Sequence, residues 1–179
     1  MNIVRNFWLL LLLFFSKQII AQTQSFLPPD HSSTVLLVYH IRNDTTLETV
    51  ILENEEFTGH TTDAGASLTG YYKNGKLVRI KSWIGLSNGI KTEDFIYKNG
   101  KLIYVEKETE RFLTDSLGNI DHSQTEKMIS GMYYFEKGEF QSSQGEIRDE
   151  TNSESYDPSH LLQKAKEYSE MLRKKKAKK

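Results

Sequence analysis

Tyr72-Lys73-Asn74-Gly75-Lys76-Leu77-Val78 recurs as Tyr97-Lys98-Asn99-Gly100-Lys101-Leu102-Ile103, with a blurred third copy at Phe135-Glu136-Lys137-Gly138-Glu139-Phe140. Each copy reads as a β-hairpin. A two-residue loop of type I′ needs positive φ at both central residues, which Asn and Gly adopt most readily, so Asn74-Gly75 and Asn99-Gly100 predict tight turns between apolar strands. Such turns join antiparallel neighbours, because parallel strands need a long crossover.

Further turn signals at Asn88-Gly89, at the polar bend 115–121 and at Lys137-Gly138 separate six strand candidates: 68–73, 76–84, 91–98, 101–113, 125–136 and 139–144. They predict an α+β domain, 22–157, built on one antiparallel β-meander of about six strands at 68–144. Asp30, Ser32 or Ser33 can cap an N-terminal helix reaching about Thr46, with Val35, Leu36, Val38, Tyr39 and Ile41 as its apolar set. The β-branched content of this stretch also permits a strand, with Asn43-Asp44 turning into Leu47–Leu52; the helix is the reading adopted. Residues 53–67 read as a loop, and 141–157, acidic and without a pattern, as a mobile stretch. Asp157-Pro158 then predicts a helix start, Asp at the cap and Pro at the first position. Leu161, Leu162, Ala165, Tyr168 and Leu172 give this C-terminal helix, 158–179, an apolar stripe. Both helices are expected on one side of the sheet, with the final basic residues running into solvent.

Two-residue loops place Tyr72 opposite Leu77 and Tyr97 opposite Leu102. Strict alternation then gathers Val78, Ile80, Ile84, Ile96, Ile103 and Val105 on an aliphatic, buried face. The other face collects Tyr72, Arg79, Lys81, Trp83, Phe95, Tyr97 and Tyr104. Aromatics beside cations suit stacking on sugars or contact with a protein partner, so these seven are the candidate ligand-binding residues.

The ends set the bounds. Arg5, the apolar run Phe7–Phe15 and the small residue Ala21 form a secretory signal peptide, 1–21, with cleavage expected after Ala21; the run is too short to span a bilayer. The protein is therefore expected in the periplasm or outside the cell. It has no cysteine, so disulfides contribute nothing and the exported chain folds by its core, as one domain and one monomer. Its net charge of −1 hides an asymmetry: all 24 acids lie between Gln22 and Leu172, while Arg173, Lys174, Lys175, Lys176, Lys178 and Lys179 fill the last seven positions around Ala177. An acidic body argues against a nucleic-acid surface, and the tail is the candidate contact for an anionic envelope surface.

Gly70-Tyr71-Tyr72-Lys73-Asn74-Gly75-Lys76-Leu77-Val78-Arg79-Ile80 and its later copies resemble a group of small exported proteins of Bacteroidota and neighbouring Gram-negatives whose function is uncharacterised; Ala21-Gln22 is similar to their signal junction. The phrase also resembles MORN-type repeat variants, whose Gly-ended hairpins stack into a curved sheet. Here the loop glycines Gly75, Gly100 and Gly138 stand 25 and then 38 residues apart, so one irregular meander is expected instead of a repeat array. Neither resemblance implies a catalytic residue.

No constellation points to catalysis, a metal or a cofactor. His31, His40, His60, His122 and His160 are scattered; His60 with Asp63 and Ser67 lacks a nucleophile elbow. Asp115, Asn119 and Asp121 do not have EF-hand spacing and read as a polar hairpin tip. Glu106, Glu108 and Glu110 read as a solvated edge. The expected function is non-catalytic binding of a protein or glycan through the aromatic face or a free sheet edge, with electrostatic attachment to the envelope as the alternative and a hydrolase as the least favoured.

Overall fold

The computed structural model describes residues 30–147 and 157–178. The signal-peptide reading, the stretch 148–156 and Lys179 lie outside them. From His31 onward the described elements belong to one compact unit. In chain order they are α1 (Ser32–Arg42), β1 (Glu48–Glu53), the single helical turn α2 (Glu55–Thr58), β2 (Ala66–Lys73), β3 (Lys76–Leu86), β4 (Gly89–Lys98), β5 (Lys101–Thr114), β6 (Ile120–Glu136), β7 (Glu139–Ile147) and α3 (Pro158–Lys176).

The strands form one antiparallel sheet whose spatial order is their sequence order, β1 to β7. The expected α+β meander is present, with a seventh strand. Helix and strand had competed for residues 33–52, and both form. The helix stops at Arg42, where the Asp44 carboxylate accepts bonds from the Thr46 N–H (3.0 Å) and hydroxyl (2.6 Å), an Asx turn that directs the chain into β1. The expected loop at 53–67 holds α2, and β7 occupies the first part of the stretch expected to be mobile.

The predicted turns form with positive φ at both loop residues: 51° and 76° at Asn74-Gly75, 52° and 75° at Asn99-Gly100, 54° and 92° at Lys137-Gly138. The β3–β4 loop is Ser87-Asn88, since Leu86 pairs with Gly89. Tyr72 faces Leu77 and Tyr97 faces Leu102 as expected. Immediately beyond each Gly turn, however, the ladder carries a bulge. Tyr71 pairs with Arg79, Ile96 with Tyr104, and Tyr134 with Ser142, so Val78, Ile103 and Gln141 are the extra residues. One extra residue exchanges the faces of everything after it in that strand.

The consequence corrects the expected sorting. Ile80 and Val105 share a face with Tyr72, Leu77, Tyr97 and Leu102, whereas Ile96, Ile103 and Tyr104 point the other way. Val50, Gly70, Ile80, Phe95, Val105 and Tyr133 form one register row across six strands, and α3 covers it with Leu161, Ala165 and Leu172 buried and Leu162, Tyr168 and Met171 alongside. Leu172 lies on Gly70, where a Cβ would come within 2.8 Å of its Cδ1. The α3 start is the predicted one: Pro158 opens the helix, and Asp157 accepts from the Ser159 N–H (2.9 Å) and hydroxyl (2.6 Å).

α1 packs on the opposite face. Its Val38 meets Ile96, Tyr104 and Tyr134, each the chain neighbour of a residue in the α3 core, and neighbours in a strand point to opposite sides. The expectation of both helices on one side fails because the bulges build a second apolar patch there. His31, just before α1, stacks on Tyr134 at 3.7 Å between centroids and bonds to the Ser142 hydroxyl (2.7 Å). Among the described residues no helix is long and apolar enough to cross a membrane.

Candidate binding surfaces

The seven residues proposed as one aromatic and basic face are divided by the bulges. Tyr72, Phe95 and Tyr97 belong to the core beneath α3, and Tyr104 is buried beneath α1. The Tyr97 hydroxyl donates to the Ala165 carbonyl (3.2 Å), fixing α3 to the sheet. Burial raises the phenol pKa of Tyr72, Tyr97 and Tyr104 above the ordinary value. Arg79, Lys81 and Trp83 remain on the α1 face, where register adds Tyr71, its ring 4.9 Å from the Arg79 guanidinium.

Arg79 is committed to the fold. Its Nε and terminal nitrogen bond both oxygens of Asp94 (2.8 and 3.1 Å), and Arg42, from the last turn of α1, reaches the same carboxylate with Nε (2.8 Å) and Glu106 with its other arm. The Asp94 side chain is only 7% exposed. Burial pushes the Arg42 guanidinium down, but Asp94 and Glu106 outweigh it and hold the pKa above its ordinary value. None of Arg42, Asp94 or Tyr71 was a sequence candidate, and Glu106 was read as part of a solvated edge. The signal that finds them is cross-strand pairing, and it is legible only once the bulge is known.

Beyond this network the α1 face is open. Ile51, Thr69 and Lys81 lie in one register row and Ser67, Trp83, Thr92 and Glu108 in the next, all half-buried or exposed. The Trp83 indole lies along its strand, and a Cβ on Gly85 would sit 3.0 Å from Cη2. Among the described residues β1, at the sheet edge, pairs only with β2. Its interior, Thr49 to Leu52, lies between Glu48 and Glu53, and Ile51 is 42% exposed.

Under α3 one register row is polar: Ser82, Glu93 and Lys107. Lys164 reaches down from α3 to Glu93 (2.7 Å), whose side chain is 8% exposed. This pair, with its carboxylate buried and its lysine 38% exposed, ties the helix to the sheet.

The basic tail is part helix and partly engaged, which corrects its expected course into solvent. Lys175 bonds both oxygens of Glu56 (2.5 and 2.7 Å), and Lys176 lies 3.7 Å from Glu48 and 3.9 Å from the centroid of the Tyr72 ring. Arg173, Lys174 and Lys178 are exposed. Between this end of α3 and the β2–β3 hairpin lies a groove of about 500 Å³, lined by Tyr72, Leu77, Ser169, Arg173 and Lys176 among others. Two sequence-predicted sets, the aromatic residues and the basic tail, therefore meet at Tyr72.

The remaining candidates are structural. Asp63 accepts from the Ser87 N–H (3.2 Å), and the His60 N–H faces the Thr58 hydroxyl (3.4 Å). Asp115 accepts from the N–H groups of Leu117 and Asn119 (both 2.8 Å) and so builds its own turn. Glu106, Glu108 and Glu110 are not on an edge, for β5 lies between β4 and β6; Lys127 pairs with Glu108 (2.5 Å) and Thr125 donates to Glu110 (2.6 Å). Among the described residues no group of His, Asp and Glu is placed to hold a metal. No known protein family, curated protein or solved structure matches this chain.

Proposed function

We propose that this is an exported, non-catalytic binding protein that takes an extended segment of a protein partner along the edge strand β1. The observation that carries the reading is the make-up of that edge: Val50 and Leu52 anchored in the core, Ile51 between them 42% exposed, and one acid at each end of the strand. An added strand is held by main-chain hydrogen bonds, and its alternate side chains give specificity. Here they would meet Ile51 on the open face and the α3 flank on the other.

The end charges select the occupant. Antiparallel pairing of two β1 strands brings Glu48 opposite Glu53 at both ends, and like charges directly opposite destabilise a sheet. This disfavours a second copy of the chain and agrees with a monomer. A partner strand with Lys or Arg at its ends turns both contacts favourable. A glycan on the aromatic face is the weaker reading, since four of the seven residues behind it are buried.

The test is selection from a displayed library of random ten-residue peptides on the chain starting at Gln22. Enriched peptides should carry two cations around an alternating apolar centre, slow amide exchange over Glu48–Glu53, and lose at least tenfold in affinity to Ile51→Lys, a change at an exposed position that leaves the fold intact. Absence of enrichment, or binding indifferent to Ile51→Lys, overturns the reading.

A further inference from the structure

We infer that the groove at the C-terminal end of α3 holds an anionic membrane lipid, its phosphate on Arg173 and Lys176 and one acyl chain along Tyr72 and Leu77. The inference goes beyond the β1 reading and rests on a different surface. At about 500 Å³ the groove is of ligand size, within the roughly 300–1,000 Å³ usual for such sites.

Its chemistry separates the possible occupants. The floor is the Tyr72–Leu77 pair, whose strands are already joined in the β2–β3 hairpin, and the wall is α3, whose backbone bonds are internal to the helix. A peptide laid there finds no strand edge to pair along, only the last carbonyls of α3, so most of its own N–H and C=O groups would be buried unpaired at a cost. An acyl chain needs no such pairing. Position 75 of the hairpin is Gly and the C-cap of α3 is Ala177, so neither of these two positions puts a large side chain in the mouth.

The rim supplies the charge. A helix C-terminus by itself repels an anion, because the last carbonyls carry partial negative charge. Here Arg173, Lys174, Lys175 and Lys176 fill the last turn, and Lys178 follows. Lys175 is drawn aside to Glu56, while Lys176 is steadied at the mouth over Tyr72 with Glu48 behind it. Glu170 is the acid in the lining. A polybasic patch beside the groove adds attraction to an anionic leaflet.

The experiment uses the chain from Gln22 to Lys179, which contains the whole compact unit. Flotation with vesicles rich in phosphatidylglycerol is compared with vesicles of phosphatidylcholine alone, and NMR titration with dodecyl phosphate is compared with inorganic phosphate. We expect binding at least tenfold tighter to the anionic vesicles, with dodecyl phosphate shifting the amides of Tyr72 and Leu77 and inorganic phosphate leaving Leu77 unmoved. Arg173→Glu should weaken flotation at least tenfold. So should Ser169→Gln with Ala177→Gln, which fills the groove with neutral polar chains and keeps every charge. If that double variant floats as well as the parent, surface charge alone acts and the groove is not a site. Failure to float at all, or equal response to both phosphates, overturns it too.

Discussion

The two faces of this sheet each carry a helix, and the two helices are held by different chemistry. Beneath the 19-residue α3 the anchors are Leu161, Ala165 and Leu172, all buried in a continuous apolar cluster. Beneath the 11-residue α1 only Val38 is buried, and Val35, Leu36 and Tyr39 stay exposed. Burying one Val or Leu contributes about 1.5–3 kcal/mol, so α1 has far less to hold it by burial alone. Arg42 compensates by reaching from its last turn to Asp94 and Glu106, where Arg79 completes the network. The long apolar stripe carries most of the attachment of α3, with the Tyr97–Ala165 and Lys164–Glu93 bonds setting its position; the short one leaves α1 dependent on bonds with geometry.

The comparison rests on the bulges that assign residues to faces, and deletions break it most severely. Removing Ile80 leaves β3 one residue short beyond the bulge. Keeping its later pairs then requires regular pairing past Leu77, which carries Arg79 into the row now held by Ile80, beneath α3. Total stability of a domain is about 5–15 kcal/mol, and burying an unpaired guanidinium consumes most of it, so we expect this variant not to fold. Removing Val78 instead deletes the extra residue and preserves every pair from Arg79 onward. We expect a folded protein with a modest loss. Far-ultraviolet circular dichroism and urea melts of the two deletions separate these outcomes; equal damage from both sinks the bulge assignment.

Next in size is the pair Phe95→Ala and Ile96→Ala, neighbours with no exposed surface on opposite faces. The first empties the larger volume in the α3 cluster and should cost about 3–5 kcal/mol; the second should lie nearer the lower end of about 2–5 kcal/mol. Their signatures differ more than their sizes. Phe95→Ala should lower the whole unfolding midpoint, and Ile96→Ala should first raise amide exchange in α1. If both open α1 and α3 alike, the faces do not act separately.

The same distinction explains what was legible in the sequence. Asn74-Gly75 and Asn99-Gly100 announce their turns because positive φ selects those residue types, and Asp157-Pro158 announces α3 because a cap is a local bond. Bulges at Val78 and Ile103 have no such marker: each is a β-branched residue that suits a regular strand equally well, and the choice lies in packing that comes from distant segments. So Tyr72, Phe95 and Tyr97 read as a surface although they form the core. α1 was weakly legible for a related reason. Its apolar residues run almost all round the helix, and what orients it is the Arg42–Asp94 pair, 52 residues apart.

That ion pair gives the third expectation. Asp94→Ala removes the carboxylate shared by Arg42 and Arg79, whose side chains are 31% and 13% exposed. Breaking a buried pair costs about 3–5 kcal/mol, and the access of water to Arg42 puts this case near about 3 kcal/mol. Hydrogen exchange should rise over Ser32–Arg42 with α3 unchanged. Loss of protection in α3 as well would mean that the two faces share one cooperative lock.

The smallest effect tests the other helix through pH. The Ser159 hydroxyl, then its N–H, hold the Asp157 carboxyl below the usual carboxylate range. Because the folded pKa lies below the unfolded value of about 3.9, the carboxylate's contribution is complete above that value and is lost as pH falls through the lower, folded one. Fraying of the first turn of α3 should therefore begin only below about pH 4. Asp157→Asn keeps an acceptor that does not titrate and should flatten this acid limb, whereas Asp157→Ala should lower the melting temperature by a few degrees at neutral pH. The α1 end gives the contrast, for its cap His31 makes no side-chain cap bond. Exchange measured over the first turn of α3 down the acid range checks this, and an acid limb that survives Asp157→Asn would show that the cap does not govern it.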